Sequence, residues 1–128
     1  MAGDLGRPRD RVSARLVASR VLSRVARDAA FASSSLDAEL ARANLPVRDA
    51  ALATEIVYGT LRHLASIDAA IDAKLKKGGK VDAFVRAVLR TSVYQLLHLD
   101  RIPPHAILND AVAMVQSERG PRVGAFVN

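Results

Sequence analysis

The residue types that could perform catalysis or bind a metal ion do not form a convincing constellation. His63, His98 and His105 lack a second ligand-type residue at the i+3 or i+4 spacing that places two metal ligands on one helix face. We therefore expect His63 and His98 to interact with helix-terminal carbonyls and His105 to be a turn residue. Asp68 and Asp72 are one helical turn apart, but no nearby residue offers a nucleophile, so we interpret them as solvated or capping carboxylates.

The chain also lacks the residues that common cofactors and covalent mechanisms require. None of its 128 residues is cysteine, which excludes a disulfide, a thiolate nucleophile and a sulfur ligand for a metal. Its seven glycines form neither a dinucleotide-binding fingerprint nor a phosphate-cradling P-loop. We predict no catalytic residue, no cofactor and no metal in this chain, and we interpret it as a binding protein and not as an enzyme.

Arginine is the residue type that most clearly indicates a ligand. The net charge is +6, and arginines are concentrated towards the amino terminus. A guanidinium donates two parallel hydrogen bonds to phosphate and stacks on unpaired bases, which favours RNA as the partner. The alternative is a disordered solubilising tail. DNA is less favoured, because no helix-turn-helix with a polar recognition helix is evident. The predicted RNA-binding residues are Arg7, Arg9, Arg11, Arg15, Arg20, Arg24 and Arg27.

The elements that must position these arginines are predicted to be helices. Residues 1–10 are expected to be a flexible basic tail and residues 11–128 one helical domain. The first helix is predicted over 11–32, with Arg20, Arg24 and Arg27 opposite its apolar stripe. Further helices are predicted over 36–43, after a capping serine triplet, over 48–64, and from a cap at Ser66. Gly59 is expected to lie where another backbone approaches closely.

Residues 81–115 give the strongest structural signal, a long apolar helix followed by a helix that folds back. Pro103 and Pro104 must end the first helix, and Pro104 suits the first turn of the next. The polar residues Arg86, Arg90 and Gln95 are predicted to reach water. The predicted buried stripe consists of Val85, Val88, Leu89, Leu96 and Leu97, with Ser92 in the seam.

These patterns predict an all-α protein with an aliphatic core, since no stretch has the period of a strand. No apolar run approaches the roughly 20 residues that cross a bilayer, and the amino terminus lacks the apolar segment of a secretory signal. A cytoplasmic protein that contacts no membrane is therefore expected.

Several motifs, which together cover about residues 11–128, resemble the NusB-like family. The version found at the amino terminus of bacterial 16S rRNA cytosine-C5 methyltransferases is the most similar. The YGTLR and RTSVYQLL elements favour that version over free-standing NusB. The motifs are Arg15-x-x-Ala18-x-x-x-Leu22-x-x-Val25, Asp49-x-x-Leu52, Val57-Tyr58-Gly59-x-Leu61-Arg62, Ile67-Asp68, Leu89-Arg90-x-x-x-Tyr94-Gln95-Leu96-Leu97, Ile102-Pro103-x-His105-Ala106, Asn109-Asp110-Ala111-Val112 and Gly124-Ala125-Phe126-Val127-Asn128.

The resemblance implies a NusB-like helical bundle of two packed subdomains that binds RNA. In the methyltransferases such a domain precedes a catalytic domain that binds S-adenosylmethionine and attacks cytosine with a cysteine, which this chain lacks. The resemblance thus implies a non-catalytic domain that helps an rRNA methyltransferase to bind rRNA, with its last helix truncated at Asn128. The alternatives are a transcription antitermination factor that binds boxA-like RNA with ribosomal protein S10, and an interaction module that docks a catalytic domain without touching RNA.

Overall fold

The structure is a computed structural model that describes residues 13–75 and 81–120. These residues form helices and connecting turns and contain no strand, which confirms the all-α prediction. The predicted tail over residues 1–10 and the carboxyl-terminal motif lie outside the described residues. The helices are α1 (Ala14–Asp28), α2 (Ala32–Ala43), α3 (Val47–Arg62), α4 (Leu64–Lys74), α5 (Ala83–His98) and α6 (Pro104–Arg119).

Helix α1 is the central element of the bundle and packs against α2, α3 and α5. Its first turn is capped by Ser13, whose Oγ accepts a hydrogen bond from the backbone N–H of Leu16 at 3.1 Å. It ends at Asp28 because Ala29 adopts a left-handed conformation with φ of 54°. The prediction that this helix continues to residue 32 was wrong, since alanine gives no sequence signal for a left-handed cap.

Helix α2 begins earlier than predicted, so the serine triplet forms part of its first turns instead of a capping loop. Phe31 is the residue before the helix and provides no side-chain cap. The Ser34 hydroxyl donates to the Phe31 carbonyl at 3.3 Å, a local bond that serine can make inside a helix. The predicted cap at Ser66 was also wrong, because Ser66 lies inside α4. Its hydroxyl donates to the carbonyl of His63, the residue before that helix, at 3.1 Å.

The hydrophobic core has two clusters on different faces of α5. The larger cluster joins the apolar sides of α1, α3 and α4 to Ala87 and Tyr94. The smaller cluster packs Phe84, Val85 and Val88 against the buried side of α6. Helix α5 therefore contacts the rest of the molecule on more than one face, as its long apolar pattern predicts.

The hairpin itself forms as predicted, with Pro104 as the first residue of α6. The predicted stripe is wrong at its carboxyl-terminal end, because Leu96 and Leu97 are 40% and 60% exposed. Gln95, predicted to reach water, is 1% exposed. Position 95 lies one turn after Thr91 and two turns after Val88, on the buried face, so the helical period outweighs the polarity of the side chain.

Gly59 lies where a neighbour approaches closely, but the neighbour is a side chain and not the predicted backbone. A Cβ added at Gly59 would stand 2.1 Å from Cζ of Tyr94. The glycine thus allows the Tyr94 ring of α5 to lie directly against helix α3. This contact helps to explain why a helix interior contains a residue of low helix propensity.

Candidate nucleic-acid interface

A row of arginines along the carboxyl-terminal half of α1 lines an open groove of about 220 Å³. Arg20, Arg24 and Arg27 are spaced by four and three residues, which places them on one face of the helix. The far wall comes from α2, from the start of α5 and from the end of α6. The groove is lined by Arg20, Ser23, Arg24, Arg27, Glu39, Phe84, Glu118 and Arg119.

Acidic residues in the groove hold two of the guanidinium groups in place. Arg20 pairs with Glu118 at 3.1 Å, and both side chains are about one-third exposed. Arg24 lies 3.7 Å from Glu39, whose carboxylate also bonds Arg42 at 2.7 Å. The lining residues include four arginines and two glutamates, and two further carboxylates, Asp28 and Asp82, pair with Arg27 and Arg119.

Arg27 is the most exposed of the four predicted arginines on α1, and it pairs with its sequence neighbour. Its guanidinium bonds Asp28 at 3.1 Å. That hydrogen bond lowers the pKa of Asp28 and raises the pKa of Arg27. Exposed pairs of this kind contribute little to stability, so a phosphate can replace the carboxylate at small cost.

Arg119 also belongs to the groove, although the sequence pattern did not identify it. Its Nε donates to Asp82 at 2.9 Å and its Nη1 to the Glu118 carbonyl at 3.0 Å. The guanidinium carbon lies 5.1 Å from the centre of the Phe84 ring. Asp82 and Phe84 precede Arg119 by more than thirty residues, so only the folded hairpin brings them together. In the sequence, a single arginine before Gly120 indicates only the end of a helix.

Arg15 is placed differently from the other predicted arginines. Its Nε donates to Oε1 of Gln95 at 2.7 Å, and its Nη1 forms an ion pair with Asp110. The side chain is only 17% exposed. Arg15 therefore links α1 to both arms of the hairpin. The predicted RNA-binding residues Arg7, Arg9 and Arg11 lie outside the described residues.

His63 and His98 stack with Tyr94 instead of making the predicted contacts with helix-terminal carbonyls. The His98 ring lies 4.2 Å from His63 and 5.2 Å from Tyr94, centre to centre, and all three planes are nearly parallel. His105, predicted to be a turn residue, is exposed in the first turn of α6. Within the ranges 13–75 and 81–120, no group of three or more His, Cys, Asp or Glu side chains could hold a metal ion.

Asp68 and Asp72 bind arginines of α5 and do not face each other as an acid–base pair. Asp68 accepts two hydrogen bonds from Arg90, at 2.8 and 2.9 Å, and one from Arg86. Asp72 lies 2.8 Å from Arg86. These arginines, predicted to reach water, do so only in part, because their side chains are 21% and 18% exposed. Burial raises the pKa of Asp68, but hydrogen bonds and charge from Arg90 and Arg86 outweigh it and hold the pKa below its usual value.

The fold and groove define an all-α domain with an arginine-lined surface. Residues 12–128 match the NusB family, and the chain belongs to that family. Among the described helices, none is long and apolar enough to cross a membrane.

Two kinds of named relatives match the chain. It is 29% identical over 118 residues to a probable ribosomal RNA small subunit methyltransferase B of Bacillus subtilis, covering 92% of this chain and 26% of that protein. It is 35% identical over 127 residues to a putative methyltransferase of Mycobacterium tuberculosis, covering 98% and 27%. It is 34% identical over 76 residues to the transcription antitermination protein NusB of Lysinibacillus sphaericus, covering 58% and 60%. The chain thus spans about a quarter of the methyltransferase relatives.

Solved structures share the arrangement of helices. A protein chain in a crystal structure of a plectonemic RNA supercoil superposes with a TM-score of 0.84 at 25% identity, covering 89% of this chain and 85% of that one. The solution structure of NusB from Aquifex aeolicus gives a TM-score of 0.73 at 27% identity, covering 89% and 79%. These likenesses confirm the predicted NusB-like bundle.

Proposed function

We propose that this chain is a non-catalytic RNA-binding domain of an S-adenosylmethionine-dependent 16S rRNA cytosine-C5 methyltransferase, and that it helps the enzyme to bind ribosomal RNA in the cytoplasm. The observation that carries the proposal is the row of arginines along the groove. From Arg20 to Arg27 the row spans about 10 Å of helix axis, which allows contact with more than one phosphate.

Binding would proceed by exchange of ion-pair partners. In the absence of RNA, Arg20 pairs with Glu118 and Arg27 pairs with Asp28, and all four side chains are substantially exposed. The two non-bridging oxygens of a phosphodiester offer the same bidentate acceptor geometry as a carboxylate and carry the same single negative charge. Because exposed ion pairs contribute little to stability, the exchange needs little energy. Glu39, only 10% exposed, remains to orient Arg24.

In our proposal the predicted RNA-binding residues Arg7, Arg9 and Arg11 add phosphate contacts to those of the arginine row on α1. These residues precede Ser13, the cap of α1. Arg15 anchors the start of α1 to Gln95 and Asp110. In this proposal Arg7, Arg9 and Arg11 contact phosphate directly, whereas Arg15 contributes mainly by positioning.

The methyltransferase context is supported by the extent of the match. The mycobacterial methyltransferase aligns with 98% of the chain, whereas the antitermination protein aligns with 58%. The proposed partner in cis is therefore a methyltransferase domain that supplies the cysteine and the cofactor site. The coding sequence after the codon for Asn128 tests this: a cysteine-bearing methyltransferase domain is expected there, and an immediate stop codon would contradict it.

An antitermination factor that binds boxA-like RNA together with ribosomal protein S10 is the second candidate. The match to NusB of Lysinibacillus sphaericus favours it. Binding of purified S10 to the chain distinguishes the two candidate functions. Under the methyltransferase proposal, S10 binds weakly or not at all and leaves RNA affinity unchanged. A stable complex that binds boxA RNA more tightly than the chain alone would support the antitermination factor.

The RNA-binding activity itself is tested by titrating the chain with a fluorescently labelled single-stranded RNA at several salt concentrations. Counterion release makes the logarithm of the affinity fall linearly with the logarithm of salt, with a slope of about −0.7 for each phosphate contact on a single strand. A slope of roughly −2 or steeper is expected from three or more arginines. Binding that is absent at low salt, or that does not respond to salt, would contradict the proposal.

A further inference from the structure

We propose that Arg119 forms a stacking site for an unpaired nucleobase in the groove, a role that rests on the proposed function and narrows its ligand to RNA with unpaired bases. Phe84 lies under one face of the guanidinium, with the guanidinium carbon 5.1 Å from the ring centre. The side chain is 36% exposed and lines the groove. The face turned away from Phe84 is the proposed surface for the base.

The guanidinium plane of Arg119 is held from two sides. Its Nε donates to Oδ2 of Asp82, while its Nη1 donates to the carbonyl of Glu118. Asp82 is itself fixed, because its Oδ1 accepts a hydrogen bond from the backbone N–H of Val85 at 2.9 Å. A base that stacks on this plane does not have to order a free arginine, which lowers the entropic cost of binding.

This arrangement exceeds what an ordinary surface ion pair needs. A pair with Asp82 alone would be equally well served by a lysine, but a lysine ammonium cannot present a flat surface over Phe84. Stacking on arginine planes and on aromatic rings is how proteins bind unpaired bases, whereas bases inside a duplex are already stacked on each other. The site therefore favours single-stranded over duplex RNA.

The surroundings of Arg119 suit a nucleotide and not only a phosphate. Arg20 and Arg24 line the same groove and can bind phosphates next to the stacked base. Glu118, paired with Arg20 and about one-third exposed, supplies a carboxylate of the kind that accepts hydrogen bonds from base amino groups. The groove thus combines arginines that can bind phosphate with a flat guanidinium surface on which a base can stack.

The test replaces Arg119 by lysine, which keeps the charge and removes the plane. Arg101→Lys is the matched control, since Arg101 is an exposed arginine paired with Glu55 at 2.9 Å outside the groove. Three probes are titrated: a single-stranded RNA, a strand of the same length and charge with abasic sites in place of bases, and a duplex compared at equal phosphate concentration. Unfolding in urea checks that each variant is folded.

Arg119→Lys should weaken binding of the base-bearing single strand about tenfold, the loss expected when one base no longer stacks. It should leave the abasic strand, the duplex and the salt dependence unchanged, and Arg101→Lys should change nothing. An equal loss on all three probes, or no loss on the base-bearing strand, would overturn the stacking site while leaving the proposed function intact. Failure of the unsubstituted chain to bind any probe would instead refute the proposed function.

Discussion

Arg15 illustrates how a residue predicted to bind RNA can instead connect helices in the folded protein. Its position after Arg7, Arg9 and Arg11 predicts an RNA contact, yet in the folded protein its guanidinium bonds Gln95 and Asp110. Gln95 was predicted to reach water and is buried, so neither partner of this bond could be assigned from the apolar pattern. The bond joins residues 80 positions apart, a separation over which helical periodicity gives no information.

Replacing Arg15 by methionine should lower the free energy of unfolding by about 1–3 kcal/mol, because the buried Oε1 of Gln95 loses its donor. Urea denaturation at neutral pH measures the change. Arg20→Met on the same helix is the control, and it should shift stability by about 0.5 kcal/mol or less, since its pair with Glu118 is exposed. Equal effects of the two substitutions would refute the structural role of Arg15.

At the scale of elements, the sequence predicts the helices and the Pro103–Pro104 turn well, since apolar period and proline chemistry are local properties. The sequence does not predict the features that depend on contacts with other helices. The burial of Gln95 and the pairing of Asp68 with Arg90 are set by packing between helices, whereas the end of α1 depends on a left-handed cap at Ala29 that alanine does not signal. Arg119 was missed because Asp82 and Phe84 reach it only after α5 and α6 have paired.

The ion pairs between α4 and α5 predict a dependence of stability on pH. The pKa of Asp68 lies lower in the folded protein than its ordinary value near 3.8, because Arg90 and Arg86 outweigh burial. Its contribution is therefore fully present above about pH 4 and is lost as the pH falls through the lower folded-state value. Asp82, whose pKa is lowered by Val85 N–H and by Arg119 against the effect of burial, acts in the same direction.

Asp68→Asn should reduce the free energy of unfolding at pH 7 by about 1–3 kcal/mol and flatten its decline below pH 4. Urea denaturation from pH 7 to pH 2.5 measures both effects. The exposed Asp37 of α2 provides the control, and Asp37→Asn should leave the curve nearly unchanged. A parallel decline in the Asp68→Asn variant and the unsubstituted chain would show that this carboxylate does not carry the acid sensitivity.

At the scale of the whole molecule, the groove results from the way four helices meet. Helix α1 supplies the arginine row, α2 supplies Glu39, and the hairpin of α5 and α6 supplies Phe84, Glu118 and Arg119. The sequence predicts the basic character and the RNA class of partner, because charge and residue type are local. The shape of the groove and the acids that hold its arginines appear only in the folded chain.

The central claim, that the arginine row on α1 binds RNA phosphates, is tested most directly by replacing Arg20, Arg24 and Arg27 together by glutamine. The control removes the same charge from exposed arginines outside the groove, Arg48, Arg62 and Arg101. Single-stranded RNA is titrated at several salt concentrations. The groove variant should bind much more weakly, with a salt slope about two units shallower, while the control keeps most of the slope. Equal slopes in the two variants would contradict the claim.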